Sequence, residues 1–406
     1  MVDWLLVNPT AGTYDGQALT QTGPNTGVSW LRTTLTVSGR TKHVDVEVIQ
    51  ESNVPEAAMY LTTEIQTNGT IGVKKAHSSN EGDGPDLDVY YSVNNGTWVK
   101  LNPSVTGTTI EVSAGDVVRW KCNTNRWTAN PPYYVQDYFC GTSDFIVYGN
   151  IMSLLYGDDF LYESTFPDIG VFKYLFWRSN VTDASRLVLP ALSLTTGCYS
   201  YMFSWSELVT PPSLPATTLA PSCYKSMFEG CEYLIQPPVL PATKMEAGCY
   251  WDMFWRCHNL TSVPDLPAME LADNCYDSMF EDCYGLTTVQ SILPATTLYT
   301  ECYRGMYAGC TGITESPVLP APVVGNSQTD NYGNYSHMFA NCSSLSAVTC
   351  LATSIGSGGE VDRPNTFYWL LDVSPTGVFT KSPNMSSWTR DENGIPPGWT
   401  VQDYQE

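Results

Sequence analysis

The feature that most constrains the fold is a unit that recurs through the middle of the chain. Its four clearest copies are LPATTLAPSCYKSMFEGCEYL (214–234), LPATKMEAGCYWDMFWRCHNL (240–260), LPAMELADNCYDSMFEDCYGL (266–286) and LPATTLYTECYRGMYAGCTGI (293–313). The first cysteine recurs at 198, 223, 249, 275 and 302, at intervals of 25 to 27 residues. Because so short a unit cannot bury its apolar residues alone, neighbouring units are expected to stack around one shared core.

Each unit contains the stretch CYxxMFxxC, with apolar residues at i, i+1, i+4, i+5 and i+8. We interpret this spacing as the apolar stripe of a short helix. Leu-Pro-Ala precedes the stretch, and proline can begin an element but is not tolerated inside one. The residues between them are expected to form an extended turn or a small strand. The pattern therefore predicts an α/β solenoid.

The units resemble the BspA-type (Treponema-type) leucine-rich repeats of bacterial surface proteins, in a variant rich in cysteine and methionine. The matching residues are the LPA start, the FxxC end and a leucine two or three residues later, over about 172–352. The resemblance implies a multidomain protein, with N-terminal β-sandwich-like domains, an α/β leucine-rich-repeat solenoid and a C-terminal cap. It also implies adhesion or recognition, a role that such repeats serve broadly.

The regions before the repeats are predicted to be β. TTLTVSG and KHVDVEVIQES alternate apolar and polar residues, and Asn-Gly in LDVYYSVNNGTWVKL indicates a hairpin. The first 50 residues resemble the second half of a BACON domain, an immunoglobulin-like β-sandwich, through Trp4, Leu5, Val7, Pro9, Gly12, Arg32, the TLTV strand and Gln50.

We predict five parts in the chain. They are a partial BACON-like β domain (1–53), a small β-sandwich (54–150), an N-terminal cap that leads into the solenoid (151–188), the leucine-rich repeats (189–352) and a C-terminal cap (353–406).

Composition excludes several classes of function. Lys and Arg total 19 and Asp and Glu total 41, a formal charge of −22, which opposes binding to nucleic acid or to an anionic membrane. The opening MVDWLLVNPT has no basic region and no apolar core, so no signal peptide is expected. No run of 18 apolar residues is present, so membrane insertion is not expected.

The sequence shows no catalytic or cofactor motif. HExxH, GxSxG and the glycine-rich phosphate loops are absent, so we predict a protein that is not an enzyme and has no cofactor. Eleven of the 13 cysteines lie between Cys198 and Cys350, and we interpret them as small buried residues rather than metal ligands or a disulfide framework. Glu229 and Glu281 occupy equivalent positions and are expected to be solvated. A weak calcium site at Asp83, Asp86 and Asp88 is an alternative to an ordinary acidic turn.

The candidate binding residues are aromatic. Trp251 and Trp255 are four residues apart, which would place them on one helix face, at positions where other units carry polar or small residues. We predict an exposed platform for a sugar ring or a partner protein, with Trp205, Tyr201 and Arg256 nearby. The alternative is that these rings pack against an adjacent coil, a domain or another subunit.

These features favour a non-enzymatic structural and adhesion protein. BACON-like and BspA-like segments occur together in crAss-like gut phages, so we expect a virion appendage, such as a head fibre, decoration or tail-associated protein. Made in the host cytoplasm and displayed on the virion surface, it would contact other virion proteins through its N-terminal β domain and host-surface or mucin glycans or proteins through the repeats. It is a possible homo-oligomer. The alternatives are a bacterial cell-surface adhesin and a glycan depolymerase.

Overall fold

The computed structural model describes residues 11–14, 17–20, 28–37, 40–49, 55–75, 88–122, 137–325, 333–356 and 364–405, with backbone alone before residue 55. The chain divides into two compact units, Met1–Met59 and Tyr60–Glu406. In the first unit β1 (Ala11–Tyr14) pairs antiparallel with β2 (Gln17–Thr20). Likewise, β3 (Val28–Val37) pairs antiparallel with β4 (Arg40–Ile49). The five-part division stays a prediction.

The second unit begins with two β-sheets. Their strands are β5 (Leu61–Ile65), β6 (Gly69–Lys74), β7 (Val89–Val93), β8 (Val99–Leu101), β9 (Thr108–Val112), β10 (Val117–Cys122), β11 (Tyr138–Gly141), β12 (Phe145–Asn150) and β13 (Val181–Val188). One sheet has the order β13-β12-β5-β10-β7-β8 and the other β11-β6-β9. Because β13 lies in the predicted N-terminal cap and pairs parallel with β12, the first sheet reaches the residue that precedes the predicted repeats.

An aromatic core connects these sheets to the repeats. Fully buried Trp120 meets Phe139 edge-on at 5.1 Å between ring centroids. Phe139 in turn stacks on Phe176 at 5.1 Å. The sheets therefore cover the first of the stacked repeats with apolar rings.

The predicted α/β leucine-rich-repeat solenoid is wrong. The described residues contain one α-helix, α1 (Ser153–Tyr156), and two 3₁₀ segments, Glu56–Ala58 and Gly157–Tyr162; the rest is mostly strand and turn. The stretches predicted as helices are runs of turns. None of the described helices is long and apolar enough to cross a membrane.

We call these runs turn segments and name each by its first residue. They are the nine-residue segments 171–179, 198–206, 223–231, 249–257, 275–283, 302–310, 334–342 and 365–373. The fourth and eighth residue of every segment has a positive φ, between 50° and 74°. An α-helix needs negative φ at every residue, so this backbone cannot be helical.

Backbone hydrogen bonds explain the turns. In the 223 segment, Met227 N–H donates to Tyr224 C=O, three residues back, whereas Phe228 N–H donates to Met253 C=O in the next segment. This alternation recurs along the segments, so successive residues bond within their own segment and to the next one. The pattern i, i+1, i+4, i+5 therefore reflects a repeat of four residues, not the 3.6 of a helix.

The first, second, fifth, sixth and ninth residues of the 223 to 302 segments are buried. Rings at the sixth position stack from Phe176 to Phe339, with centroid spacings of 5.3 to 5.8 Å. Cysteines fill the ninth position, where each donates its S–H to a carbonyl of the preceding segment at 3.0 or 3.1 Å: Cys231, Cys257, Cys283, Cys310 and Cys342. The rings and thiols therefore form one continuous core.

Parallel strands complete the C-terminal part of the unit. β14 (Glu315–Leu319), β16 (Ala347–Cys350), β18 (Val378–Lys381) and β19 (Thr400–Asp403) form one sheet, and β15 (Val323–Val324) pairs with β17 (Ser354–Ile355). Buried Trp369 stacks on Trp388 at 5.3 Å between centroids, and the Trp369 indole N–H donates to Gly394 C=O. Residues 385–399 thereby cover the 365 segment.

Candidate functional site

The candidate site lies on the less buried side of the turn segments. We define the outward face as the third, fourth, seventh and eighth residues of the segments from 171 to 302. The other five positions are buried in the core, so the segments differ in side-chain chemistry mainly at these four. Backbone hydrogen bonds between segments hold them in register, so equivalent positions form rows along the face.

All five residues predicted for the site lie on this face. Tyr201 and Trp205 are the fourth and eighth residues of the 198 segment; Trp251, Trp255 and Arg256 are the third, seventh and eighth of the 249 segment. The argument that placed Trp251 and Trp255 on one helix face is wrong, because the segment is not a helix. The four aromatic rings are half-buried and Arg256 is exposed.

Trp255 meets Trp205, which lies two segments away. Their ring centroids are 6.5 Å apart and the rings are almost perpendicular, at 89°. The intervening position is Gly230, and a Cβ there would lie 2.5 Å from the Trp205 ring. The Trp205 indole N–H donates to Glu229 Oε1 at 3.1 Å. Gly230 thus leaves room for the ring and Glu229 orients it.

Trp251 lies in a different row from Trp255. Lys225 of the preceding segment holds its Nζ 3.3 Å from the Trp251 ring centroid, and the Arg256 guanidinium lies 4.5 Å from the centroid of Trp255. A cation on an aromatic face is favourable because the face carries partial negative charge. Each of these indoles therefore has one face covered by a cation of the chain itself.

Tyr201 belongs to a second aromatic group at the N-terminal end of the face. Its ring stacks on Tyr174 at 4.7 Å between centroids. Lys173 Nζ lies 5.2 Å from the centroid of Tyr174 and 5.7 Å from that of Tyr201. In the adjoining row, the Arg178 guanidinium lies 4.8 Å from the Trp177 centroid. The pairing of a cation with an aromatic ring therefore recurs along the face.

Several of these side chains occupy a conformation that bulky residues avoid. Tyr174, Arg178, Tyr201, Trp205 and Arg256 all have φ between 53° and 63°. The same positions in other segments carry Ser226, Gly230, Asp252, Ser278, Asp282, Gly305 and Gly309. Glycine and the small polar residues tolerate this region best, and bulky residues in it cost of order 1–3 kcal/mol each. Such strain tends to occur at functional sites.

Carboxylates also lie on the outward face, some between the aromatic groups and some beyond them. Glu229 and Glu281 are half-buried, so the expectation that they are solvated is wrong, and burial raises the pKa of both. Burial raises the pKa of Asp252 to about 8, and the neighbouring charge of Asp277 adds to the effect. Asp277 is fully buried and accepts hydrogen bonds from Arg304 at 3.2 and 3.3 Å.

Metal ligation has no support in the described part of the chain. No group of three or more histidine, cysteine, aspartate or glutamate side chains there is arranged to hold a metal ion. Asp83 and Asp86 of the suggested calcium site lie outside the described residues, while Asp88 forms an ion pair with Lys100.

Sequence reasoning missed Lys173, Tyr174, Lys225 and Asp252. Alignment of the segments by their four-residue period would have found them, because it places Lys173, Lys225 and Trp251 in one row and Tyr174, Tyr201 and Asp252 in another.

Comparison of the chain with protein-family models, with curated proteins and with solved structures finds no match. The resemblance to BspA-type repeats stays a prediction.

Proposed function

We propose that this chain is a non-enzymatic binding protein that recognises glycans of a host surface or of mucin through the outward face of its turn segments. The observation that carries the proposal is the concentration of half-buried rings at strained positions, Tyr174, Tyr201 and Trp205, together with Trp255. Rings held in register by the backbone form a rigid surface on which sugar rings can stack. Rigid aromatic residues also contribute much of the energy at protein recognition surfaces.

A glycan-binding assay with the full chain tests this function. We expect Trp255→Ala to weaken binding to mucin glycans about tenfold, since a contact of 1.4 kcal/mol corresponds to that factor. Tyr162→Ala is the matched control, because Tyr162 is 87% exposed and lies outside the turn segments. Equal binding by the wild type, Trp255→Ala and Tyr162→Ala would contradict a role for the outward face.

We further propose that the chain is displayed on a virion, as a head fibre, decoration or tail-associated protein, and contacts other virion proteins through residues 1–53. The resemblance to modules of crAss-like phages supports this setting. Mass spectrometry of purified phage particles and of host envelope fractions tests it. Peptides of this chain in the particles would support a virion protein, whereas peptides found only in the envelope fractions would favour the bacterial adhesin.

The carboxylates favour a second candidate, a glycan depolymerase. Strongly shifted pKa values are frequent at catalytic sites, and glycoside hydrolysis needs one carboxyl group that stays protonated near neutral pH. Asp252, with a pKa of about 8, has that property. Release of reducing ends from mucin glycans that is abolished by Asp252→Asn would support this candidate. Binding without release would favour the non-enzymatic function.

A further inference from the structure

The outward face carries five cations and five carboxylates, so it is close to neutral, unlike the chain as a whole. The chain has a formal charge of −22, and residues 151–350 contain seven lysines and arginines. Five of the seven lie on the outward face: Lys173, Arg178, Lys225, Arg256 and Arg304. The few cations of the repeat region are therefore concentrated on the face that also carries the aromatic rings.

Two of these five cations are neutralised within the chain. Arg304 pairs with Asp277 at 3.2 Å, and Arg256 lies 3.5 Å from an oxygen of Asp282. Lys173, Arg178 and Lys225 have no carboxylate within 4.0 Å among the described residues. All three lie at the N-terminal end of the face, in the 171 and 223 segments.

The two lysines occupy the third position of their segments, with Ser200 between them in the same row. Both are half-buried, and burial lowers the pKa of each. The charge of Lys225 lowers the pKa of Lys173 further, so the two ammonium groups interact. Asp252, Asp277 and Glu229 favour the charged form of Lys225, but burial outweighs them. A bound anion would compensate both ammonium groups.

Aromatic rings flank this pair on both sides. Lys173 lies over Tyr174 and Tyr201, and Lys225 lies over Trp251. Rings suit the apolar face of a sugar, whereas ammonium groups suit a carboxylate or a sulfate. With a neutral sugar neither lysine would gain a direct ionic contact, whereas an acidic sugar would supply one.

We propose that the N-terminal end of the outward face binds acidic glycans, with the anionic group of the sugar between Lys173 and Lys225 and the sugar rings against Tyr201 and Trp251. This inference rests on the proposed glycan-binding function and names its ligand class. Polyanions such as nucleic acids do not fit, because a chain of charge −22 repels a dense row of phosphates.

Calorimetry with matched ligands tests the inference. The probes are sialyllactose and a tetrasaccharide that contains glucuronate, each compared with its carboxyl-reduced, neutral form. We expect the acidic form to bind about tenfold more tightly or better, because a charge-assisted contact contributes 1.4 kcal/mol or more. Added salt should weaken binding of the acidic form and leave the neutral form almost unchanged.

Variants locate the effect. Lys173→Gln and Lys225→Gln should each remove most of the preference for the acidic form. Lys244→Gln is the matched control, since Lys244 is an exposed lysine of the repeats that lies off the face, beside Glu270. Thermal melts of each variant show whether it folds.

The outcomes separate this inference from the function on which it rests. Equal binding of acidic and neutral forms, with both weakened by Trp255→Ala, would overturn the acidic ligand and leave the glycan-binding function standing. A preference that survives both lysine variants would also overturn the inference. Binding of neither form to the folded wild type would overturn both proposals.

Discussion

At the scale of single residues, the fold restricts which side chains fit the positions of positive φ. Gly230 is the clearest case, with φ of 66° and a neighbouring Trp205 ring that a Cβ would approach to 2.5 Å. We expect Gly230→Ala to lower the free energy of unfolding by about 1–3 kcal/mol. It should also displace Trp205, which a change in tryptophan fluorescence would report.

Gly115→Ala is the control for that change. Gly115 also has a positive φ, of 91°, but a Cβ there would meet nothing within 4 Å. The control therefore carries the backbone strain without the crowding. If chemical denaturation gives the same loss of unfolding free energy for both variants, crowding against the Trp205 ring adds nothing to the backbone strain. The position of Trp205 would then not depend on the space at Gly230.

Asp252 makes stability depend on pH. Its pKa rises from 3.8 to about 8 on folding, so the unfolded chain ionises at lower pH than the folded chain. The unfolded state is then favoured progressively as the pH rises from about 4 to about 8. We expect Asp252→Asn to be more stable than the wild type at pH 7, by about 1 kcal/mol or more, and to flatten the melting temperature across this range. Identical pH profiles for the two proteins would contradict the raised pKa.

At the scale of elements, stacked rings carry the stability of the turn segments. Phe254 is fully buried between Phe228 and Phe280, at 5.5 Å from each between centroids. We expect Phe254→Ala to destabilise the protein by about 2–5 kcal/mol, in the range for large-to-small changes in a core. Trp255→Ala, the next residue, should cost less because its ring is half-buried. Equal losses in thermal melts would assign Trp255 to the core.

The sequence was sufficient to predict that the apolar residues of the CYxxMFxxC stretch, such as Met253 and Phe254, are buried, because burial follows from their spacing. It predicted the wrong type of secondary structure, since apolar residues at i, i+4 and i+8 fit a helix and a four-residue turn almost equally well over nine residues. Residues at the fourth and eighth positions carried the missing signal. Ser226 and Gly230, like Gly305 and Gly309, suit a positive φ and disfavour a helix.

The candidate site was harder to predict than the core. Its contacts join different segments, as Trp205 with Trp255 and Lys225 with Trp251. These pairs depend on the register between segments, which the backbone hydrogen bonds set. Spacing within one unit cannot supply that register.

At the scale of the whole molecule, the cysteines are predicted to be unreactive thiols. All 13 are free, and all but Cys140 are buried. Burial raises the pKa of Cys223 and Cys231 to about 12, and a thiol that stays protonated is a poor nucleophile. We expect a thiol reagent to modify at most Cys140 in the native protein and all 13 after denaturation. Cys140→Ser should then remove the native reaction, and rapid native labelling of the repeat cysteines would contradict this packing.

The division into two compact units, Met1–Met59 and Tyr60–Glu406, separates the two proposed roles. The outward face lies entirely in the second unit, whose core runs from the β-sheets to the last turn segment without a break. We therefore expect a chain of residues 60–406 to keep the thermal unfolding and glycan binding of the full protein. The described strands of the first unit form two antiparallel pairs, β1 with β2 and β3 with β4, and an exposed strand edge is suited to pairing with another protein.

Deletion of residues 1–59 should therefore abolish incorporation into phage particles while binding to isolated glycans persists. Quantitative mass spectrometry of particles produced with the wild-type or the shortened chain measures incorporation. Calorimetry of the purified chains measures glycan binding. Normal incorporation of the shortened chain would place the attachment surface in the second unit. Loss of glycan binding in a folded 60–406 chain would mean that the first unit contributes to the ligand site, contrary to the separation of roles.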